Sequence, residues 1–292
     1  MHDKDRNALD LFIDYQRAQN LAATTIRNRR SILTTFARRT GGLVDTDVFT
    51  LRRYIGRDDD VSPGTRRTER GALIAFYTFL HDEGLRADNP TTKLPVVRVP
   101  KGLPRPFTPE QIDAMLNSGA YAKTRAMILL GYYQGFRVSS IARVRGEDID
   151  LAARTISTTV KGGKVRLLPL HDVIAELSKS MPPHGYWFPA RDGSAGHVRP
   201  SSVTDLITKA KLRAGILDPR LTPHSLRHAF GTDLVEQGVD IRVVQELLVH
   251  EHLSTTQIYT QVSDRRKQDG IRTLAPREVP ARSGRAAAKI AA

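Results

Sequence analysis

The sequence of 292 residues contains no cysteine, a single tryptophan and few aromatic residues, which make up 6% of the chain. Without thiols the chain can form no disulfide, no cysteine-ligated zinc or iron–sulfur site and no thiol nucleophile. Long apolar runs are also missing: the longest, from Ala126 to Phe136, is too short to span a bilayer. The charged start MHDKDRNALD is not a secretory signal. These absences predict a soluble, cytoplasmic protein that does not associate with membranes.

Acidic side chains are in the minority: 31 Asp and Glu stand against 45 Lys and Arg, which gives a net charge of +14. Apolar residues still account for 40% of the chain, enough to form cores and to exclude wholesale disorder. A folded protein with such an excess of positive charge is expected to bind a polyanion. Because the sequence argues against a membrane surface, the charge indicates nucleic acid.

Prolines divide the chain between Asn89 and Pro109. They occur at positions 90, 95, 100, 104, 106 and 109, and each removes a backbone donor and disfavours a helix around it. Lysines and arginines are interleaved with them, as in an extended basic connector. We therefore expect a helical DNA-binding domain over 1–94, a basic proline-rich linker over 95–106, a second domain over 107–275 and a mobile basic tail over 276–292.

Helical patterns dominate both domains. In the first, one helix is expected from Thr24 to Arg39, and another begins at Ser62-Pro63, a cap followed by proline, and continues through Leu80. The second domain opens with Thr108-Pro109, which also starts a helix by the cap and proline rules. Further helices are expected over 122–134, 139–144, 202–214, 225–236, 241–249 and 255–262.

One β-hairpin interrupts this pattern. The stretch Thr155–Val160 is rich in β-forming residues, Gly162-Gly163 suits a tight two-residue turn, and Val165–Leu170 is the returning strand. The predicted fold class is therefore mainly α with a small β-sheet: a helical domain followed by an α+β domain.

Basic residues cluster at the ends of several predicted helices and in the linker. The helix that starts at Pro63 carries arginines in its first turns and apolar residues afterwards, which suits a helix that enters a DNA groove. For each single residue, an ordinary solvated helix face is the alternative. The candidate DNA contacts are Arg27, Arg30, Arg66, Arg67, Arg70, Lys101, Lys209, Lys211 and Arg213.

Several common catalytic arrangements are excluded. Gly162-Gly163-Lys164 lacks the rest of a phosphate-binding loop, so ATP hydrolysis has no support. His224 and His228 have the spacing of a helical zinc pair, but Ser225 occupies the position where the zinc-protease motif requires glutamate. The sequence contains no cluster of Asp and Glu of the kind that a two-metal nuclease requires. A phosphodiester would therefore have to be cut by cations and a side-chain nucleophile, without metal or nucleotide cofactor.

The chain contains such residues in an ordered set. His224 and Arg227 are three positions apart, on one face of a helical turn. Arg137 closely follows Gly135, which allows a sharp backbone turn. The other members are Lys161, which precedes Gly162-Gly163, and His250, which precedes Tyr259 by nine residues.

Taken together, Arg137, Lys161, His224-x-x-Arg227, His250 and Tyr259 resemble the signature residues of the tyrosine recombinases, also called the phage integrase family. The stretch Leu253–Thr260 is close to a family consensus that contains the nucleophile, and the resemblance covers almost the whole chain. It implies a helical core-binding domain and a catalytic domain. It further implies double-stranded DNA core sites as partner, protomers that are monomeric when free and tetrameric on DNA, and strand exchange through a Holliday junction. A directionality factor and a location on the bacterial nucleoid are also expected.

Roles for the six residues follow from the resemblance and the chemistry of a phosphodiester. Arg137 and Arg227 would bind the non-bridging oxygens, and Tyr259 would attack the phosphorus to form a 3′-phosphotyrosyl link. Lys161 would protonate the leaving 5′-oxygen. The two histidines would assist, His224 in proton transfer at the tyrosine and His250 by a hydrogen bond to the phosphate.

The sequence departs from the family pattern in the second domain. Val249 stands where relatives usually have glycine, Ser140 where many have glutamate, and Gly146 where many have tryptophan. The residues after Tyr259, Ser263–Lys267, differ from those of Xer proteins, which favours an integrase of a phage or mobile element over Xer-type resolution of chromosome dimers. The alternatives from other classes are a non-catalytic DNA-binding regulator and a type IB topoisomerase. The Ala-Ala end of the tail resembles a degradation signal, with a basic DNA-contacting arm as the alternative.

Overall fold

The computed structural model describes residues 1–100, 105–159, 163, 165–190 and 193–249. The chain divides into two compact units, Met1–Gly102 and Leu103–Ala292. Each unit has its own apolar core. Within the described ranges, none of the helices combines the length and apolarity needed to cross a membrane.

The described part of the amino-terminal unit is helical. It contains α1 (Asp3–Ala18), α2 (Ala23–Thr40), α3 (Val48–Ile55) and α4 (Pro63–Asp82), followed by a short 3-10 turn at Pro90–Lys93. The predictions for α2 and α4 are confirmed to within two residues at each end, and α1 and α3 were not predicted. The start of α4 has the expected cap, since the Ser62 hydroxyl accepts a hydrogen bond from the backbone N–H of Thr65.

Aromatic side chains form the centre of this unit. Phe12 meets Phe76 edge to face with the ring centroids 5.4 Å apart, and Phe36 meets Tyr54 in the same way at 4.8 Å. Both arrangements place the partly positive edge of one ring against the negative face of the other. The few aromatic residues of the chain therefore hold the helices of this unit together.

The described part of the second unit combines helices with a small antiparallel sheet. The sheet has the order β1 (Ile149–Asp150), β2 (Thr155–Thr159), β3 (Val165–Pro169), and Ile156 lies opposite Leu168. The predicted pairing of the two hairpin strands is confirmed over Thr155–Thr159 and Val165–Pro169; β3 ends one residue before Leu170, and Val160 lies outside the described residues. The helices are α5 (Pro109–Leu116), α6 (Ala122–Tyr133), α7 (Val138–Arg143), α8 (Asp172–Ser178), α9 (Pro200–Arg213), α10 (His224–Glu236) and α11 (Ile241–Leu247).

Helix α6 lies at the centre of the second unit and packs against α7, α8, α9 and α10. Gly131 permits the close approach of α10, because a Cβ at this position would lie 3.0 Å from the Leu226 side chain. This packing brings the end of α6 close to the start of α10. The predicted start of α5 is confirmed, and the predictions for α6, α7, α9, α10 and α11 are confirmed to within two residues. Helix α8 and strand β1 were not predicted, and the helix predicted over 255–262 lies outside the described residues.

Candidate active site

A sharp turn after α6 places Arg137. Gly135 has φ +60°, and a Cβ there would lie 2.6 Å from the ring of Phe230, so both the backbone conformation and the space require glycine. Arg137 then precedes α7, and its carbonyl accepts hydrogen bonds from the backbone N–H groups of Ser140 and Ile141. Its side chain is exposed and makes no hydrogen bond or ion pair with any residue that the structure describes. The guanidinium of Arg137 is therefore accessible to an external anion.

Arg227 faces the same turn from α10. The residue is buried, with 4% of its surface exposed, and its guanidinium donates hydrogen bonds to the carbonyl oxygens of Gly135 and Leu248. These bonds join the turn before Arg137 to the end of α11. A planar guanidinium with donors on both sides suits this double contact, and it fixes the charge in one orientation.

His224 begins α10, one turn before Arg227. Its ring lies 4.8 Å from that of His228, nearly perpendicular to it. Burial lowers the pKa of His224 from its ordinary value of 6.5 to about 4, and the nearby His228, Arg227 and Arg137 act in the same direction. The imidazole of His224 is consequently neutral at neutral pH. Burial and the charge of Arg227 also lower the pKa of His228.

The structure thus brings Arg137 close to His224 and Arg227, although Arg137 is far from that pair in the sequence. The other members of the predicted set, Lys161, His250 and Tyr259, lie outside the described residues. Among the side chains that the structure describes, no group of three or more His, Asp or Glu is placed to hold a metal ion.

Two tyrosines near this site are held in other interactions. The hydroxyl of Tyr132 donates a hydrogen bond of 2.6 Å to the carboxylate of Asp233. Burial and this bond raise the pKa of Tyr132 above its ordinary value. Tyr133 packs against the ring of His171, with centroids 4.6 Å apart. The hydroxyl of Tyr132 is therefore engaged in a bond between two helices.

Gln134 connects the end of α6 to the end of β3. Its side chain is buried, the Nε2 group donates a 2.6 Å hydrogen bond to the carbonyl of Pro169, and Oε1 accepts a 3.3 Å bond from the N–H of His171. Sequence reasoning did not identify this residue. The available signal was an amide at the end of the apolar run of α6, directly before Gly135.

One predicted DNA contact is wrong. Lys211 is buried, with 5% of its surface exposed, and its ammonium donates hydrogen bonds to the carbonyls of Asp218 and Leu221. It holds the loop after α9 and cannot reach DNA from this position. Helical spacing would have revealed this, since Ala210 and Ile207 lie on the same buried side of α9.

The other predicted DNA contacts differ in their surroundings. Arg66 donates to the carbonyls of Val61 and Arg57, and Arg70 donates to the carbonyl of Leu94, so both hold neighbouring loops. Their predicted role stays a prediction. Arg30 lies 3.8 Å from Asp10 in an exposed ion pair, and Lys101 is outside the described residues. The exposed candidates are Arg27, Arg30, Arg67, Lys209 and Arg213.

Two departures from the family pattern have structural consequences. Val249 has φ +49°, a left-handed conformation that is costly for a β-branched residue and easy for glycine. Gly146 has no room for a side chain, because a Cβ there would lie 2.2 Å from the backbone of Pro183. A tryptophan at this position would need a different path of the neighbouring chain.

Comparison with known proteins assigns the chain to a family. The phage integrase family model matches residues 105–266, which is more than half of the chain. The chain therefore belongs to the phage integrase family, the tyrosine recombinases. Tyrosine recombinase XerD of Rhizobium meliloti (strain 1021) is 32% identical over 308 residues, covering 94% of this chain and 97% of the relative. XerD of Yersinia pestis is 30% identical over 289 residues, covering 91% of this chain and 96% of that relative.

Solved structures show the same fold. XerH recombinase in a post-cleavage complex with palindromic difH has a TM-score of 0.68 and 21% identity, covering 88% of this chain and 81% of XerH. A lambda integrase (75–356) dimer bound to a COC′ core site has a TM-score of 0.68 and 16% identity, covering 85% of this chain and 95% of the lambda integrase chain. The predicted fold class is confirmed. The predicted class of enzyme is also confirmed by the family match and the relatives: the chain is a site-specific tyrosine recombinase.

Proposed function

We propose that this recombinase cuts and rejoins double-stranded DNA through a covalent intermediate on Tyr259, in the integration or excision of a phage or mobile element. The proposal rests on one observation: the guanidiniums of Arg137 and Arg227 lie close to the neutral imidazole of His224. This arrangement offers positive charge for a phosphate and a base for a proton.

The two arginines have complementary roles on the scissile phosphate. Arg227 is held in place by the carbonyls of Gly135 and Leu248, so its charge is oriented before DNA arrives. Arg137 is exposed and closes on the non-bridging oxygens when DNA binds. The phosphorane transition state carries more negative charge than the ground state, and fixed cations stabilise it preferentially.

Cleavage is a transesterification. The phenolic oxygen of Tyr259 forms a bond to phosphorus, and the bond from phosphorus to the 5′-oxygen breaks. The phenolic proton passes to the neutral imidazole of His224, and the ammonium of Lys161 protonates the leaving 5′-oxygen. His250 hydrogen-bonds the phosphate. The 3′-phosphotyrosine retains the bond energy, so attack by a 5′-hydroxyl rejoins the strand without a nucleotide cofactor or metal.

The DNA partner is proposed from charge and from the relatives. The chain carries a net charge of +14, and Arg27, Arg67, Lys209 and Arg213 are exposed on its two units. Solved structures of XerH and lambda integrase, which share the fold, contain DNA. We propose that free monomers assemble as a homotetramer on double-stranded core sites and exchange strands through a Holliday junction. We further propose that a directionality factor acts with this protein and that the protein is located on the nucleoid in the cytoplasm.

A second role is supported by the relatives. The XerD proteins of Rhizobium meliloti and Yersinia pestis match more than nine-tenths of the chain. This favours Xer-type resolution of chromosome dimers as the alternative to an element integrase. The two roles differ in the position of the DNA site: an integrase site lies at the junction of an inserted element, whereas a resolution site is present in chromosomes that carry no element.

The experiment begins by finding the site. Host genomic fragments are selected for binding to the Tyr259→Phe variant, sequenced and rebuilt as nicked suicide substrates. The unaltered protein should become covalently attached to DNA, Tyr259→Phe should bind without attachment, and Tyr121→Phe should attach normally, because Tyr121 is 79% exposed at the start of α6. Peptide mapping of the adduct onto another tyrosine would contradict the assignment. The genomic position of the selected fragments decides between the two roles.

A further inference from the structure

We infer that Gln134 is a positioning residue for the two arginines of the active site. The inference rests on the proposed role of Arg137 and Arg227 at the scissile phosphate. Gln134 itself lies outside the signature residues, and its contribution comes from holding the turn between α6 and α7.

The turn from Gln134 to Arg137 is held from two directions. On one side, the buried amide of Gln134 bonds the backbone of Pro169 and His171. On the other side, the carbonyl of Gly135 accepts a hydrogen bond from Arg227. A displacement of this turn would therefore move the backbone that carries Arg137 and withdraw a carbonyl that orients Arg227.

The backbone that Gln134 bonds, at Pro169 and His171, is held in place by its neighbours. Leu168 and Leu170 are buried on either side of Pro169. The ring of His171 accepts a hydrogen bond from the N–H of Val173 and so caps α8. Gln134 consequently connects the short turn before Arg137 to backbone that is anchored by a core and by a helix start.

The amide of Gln134 is buried, and its two hydrogen bonds are difficult to replace. Without the amide, the carbonyl of Pro169 and the N–H of His171 lose this partner, and the turn loses its connection to β3. Gly135 and Phe230 still prevent large rearrangements because they are in close contact. We therefore expect a small shift of the turn rather than unfolding, and a small shift is enough to disturb a phosphate clamp.

Gln134→Met tests this inference, since methionine has a similar length and lacks both hydrogen bonds. Gln237→Met is the matched control, at an exposed position after α10. In single-turnover assays on the nicked core-site substrate, Gln134→Met should cleave about 10- to 100-fold more slowly. Its affinity for the same DNA should stay close to that of the unaltered protein, and the control should be unchanged in both. Unaltered cleavage by a folded Gln134→Met would overturn the inference.

Modified phosphates separate positioning of the arginines from general loss of structure. A methylphosphonate at the cleavage point removes one negative charge, so cleavage depends less on the arginine clamp. The deficit of Gln134→Met relative to the unaltered protein should shrink on this substrate, as should that of Arg137→Ala. A bridging 5′-sulfur, which leaves without protonation, should not reduce the deficit of Gln134→Met. Rescue by sulfur alone would overturn the inference and place the effect of Gln134 at the leaving group.

Gln134→Glu provides a second variant in case Gln134→Met fails to fold. At neutral pH its carboxylate can accept from His171 N–H but cannot donate to Pro169. As the pH falls and the carboxyl becomes protonated, its activity relative to the unaltered protein should rise; a flat ratio across the pH range would contradict the inference. Normal cleavage by Arg137→Ala would instead contradict the proposed function, whereas an inactive Arg137→Ala beside a normal Gln134→Met defeats only the inference.

Discussion

Tyr132 and Asp233 form a hydrogen bond of 2.6 Å between α6 and α10, across 101 positions of the sequence. The two helices carry the residues that meet at the active site: Arg137 follows α6, and His224 and Arg227 begin α10. The bond lies further along α10, so it braces the helix pair without touching the catalytic side chains.

Removing the Tyr132 hydroxyl should weaken the second unit without abolishing cleavage. Tyr132→Phe leaves a half-buried carboxylate without its donor, and we expect the free energy of unfolding to fall by about 1–2 kcal/mol. Urea denaturation measures this change, with Tyr133→Phe as the matched control. Covalent trapping of DNA should persist in Tyr132→Phe. Complete loss of trapping in a folded variant would show that this phenol takes part in the chemistry.

The pKa of His224 predicts a loss of stability in acid. Its pKa is lowered from 6.5 unfolded to about 4 folded, so the folded state favours the neutral ring. This contribution is present above pH 6.5 and is lost as the pH falls towards 4, because the unfolded chain then binds the proton more readily. The substitution His224→Asn should flatten the pH dependence of the free energy of unfolding between pH 6.5 and 4. Titration of the His224 ring by NMR near its ordinary pKa would contradict the burial and charge of the site.

Two lysines on α9 should behave differently despite being two residues apart. Lys211 donates to two carbonyls in a buried position, so Lys211→Met should lower the free energy of unfolding by about 2–3 kcal/mol. Lys209 is exposed, and Lys209→Met should leave stability nearly unchanged. If Lys209 contacts a phosphate, its replacement should reduce the salt dependence of DNA binding by about one ion. An unchanged salt dependence would remove Lys209 from the DNA contacts.

At position 249, the glycine variant should be more stable than the alanine variant, which is the reverse of the usual order. Its φ of +49° costs about 1–2 kcal/mol for a residue with a Cβ, and alanine retains this cost. Glycine removes the strain at an entropic cost of about 0.5–1 kcal/mol. Val249→Gly should therefore be more stable than Val249→Ala by up to about 1.5 kcal/mol. Thermal unfolding of the two variants, which lose the same packing apart from one methyl group, measures the difference.

The proposed general acid can be tested with a leaving group that needs no proton. A bridging 5′-sulfur should restore cleavage by Lys161→Ala, because a thiolate leaves readily where an alkoxide does not. Arg227→Ala should remain defective on the same substrate, since its defect lies in stabilising the charge of the phosphorane.

Lys164→Ala is the control for this test and should cleave ordinary DNA at a rate closer to normal. Rescue of Lys164→Ala by sulfur, with no rescue of Lys161→Ala, would exchange the roles of the two lysines.

The order and spacing of the chemical groups could be recognised from the sequence alone. Helix starts at Ser62-Pro63 and Thr108-Pro109 depend on caps within a few residues, and the structure has both. The hairpin likewise follows from short patterns around Gly162-Gly163. The signature spacing of Arg137, His224-x-x-Arg227 and Tyr259 sufficed to predict the family, because the family's chemistry requires these residue types in this order.

Only the tertiary structure decided which of these groups are buried, paired or exposed. Gln134 meets Pro169 from 35 positions away, and Arg227 meets Gly135 from 92. Such contacts are set by the packing of α6 against its neighbours, which no local pattern contains. The same packing buries Lys211 and leaves Lys209 in solvent, because neighbouring positions on a helix point in different directions. The residue types come from the sequence, but their electrostatic environment is produced by the fold.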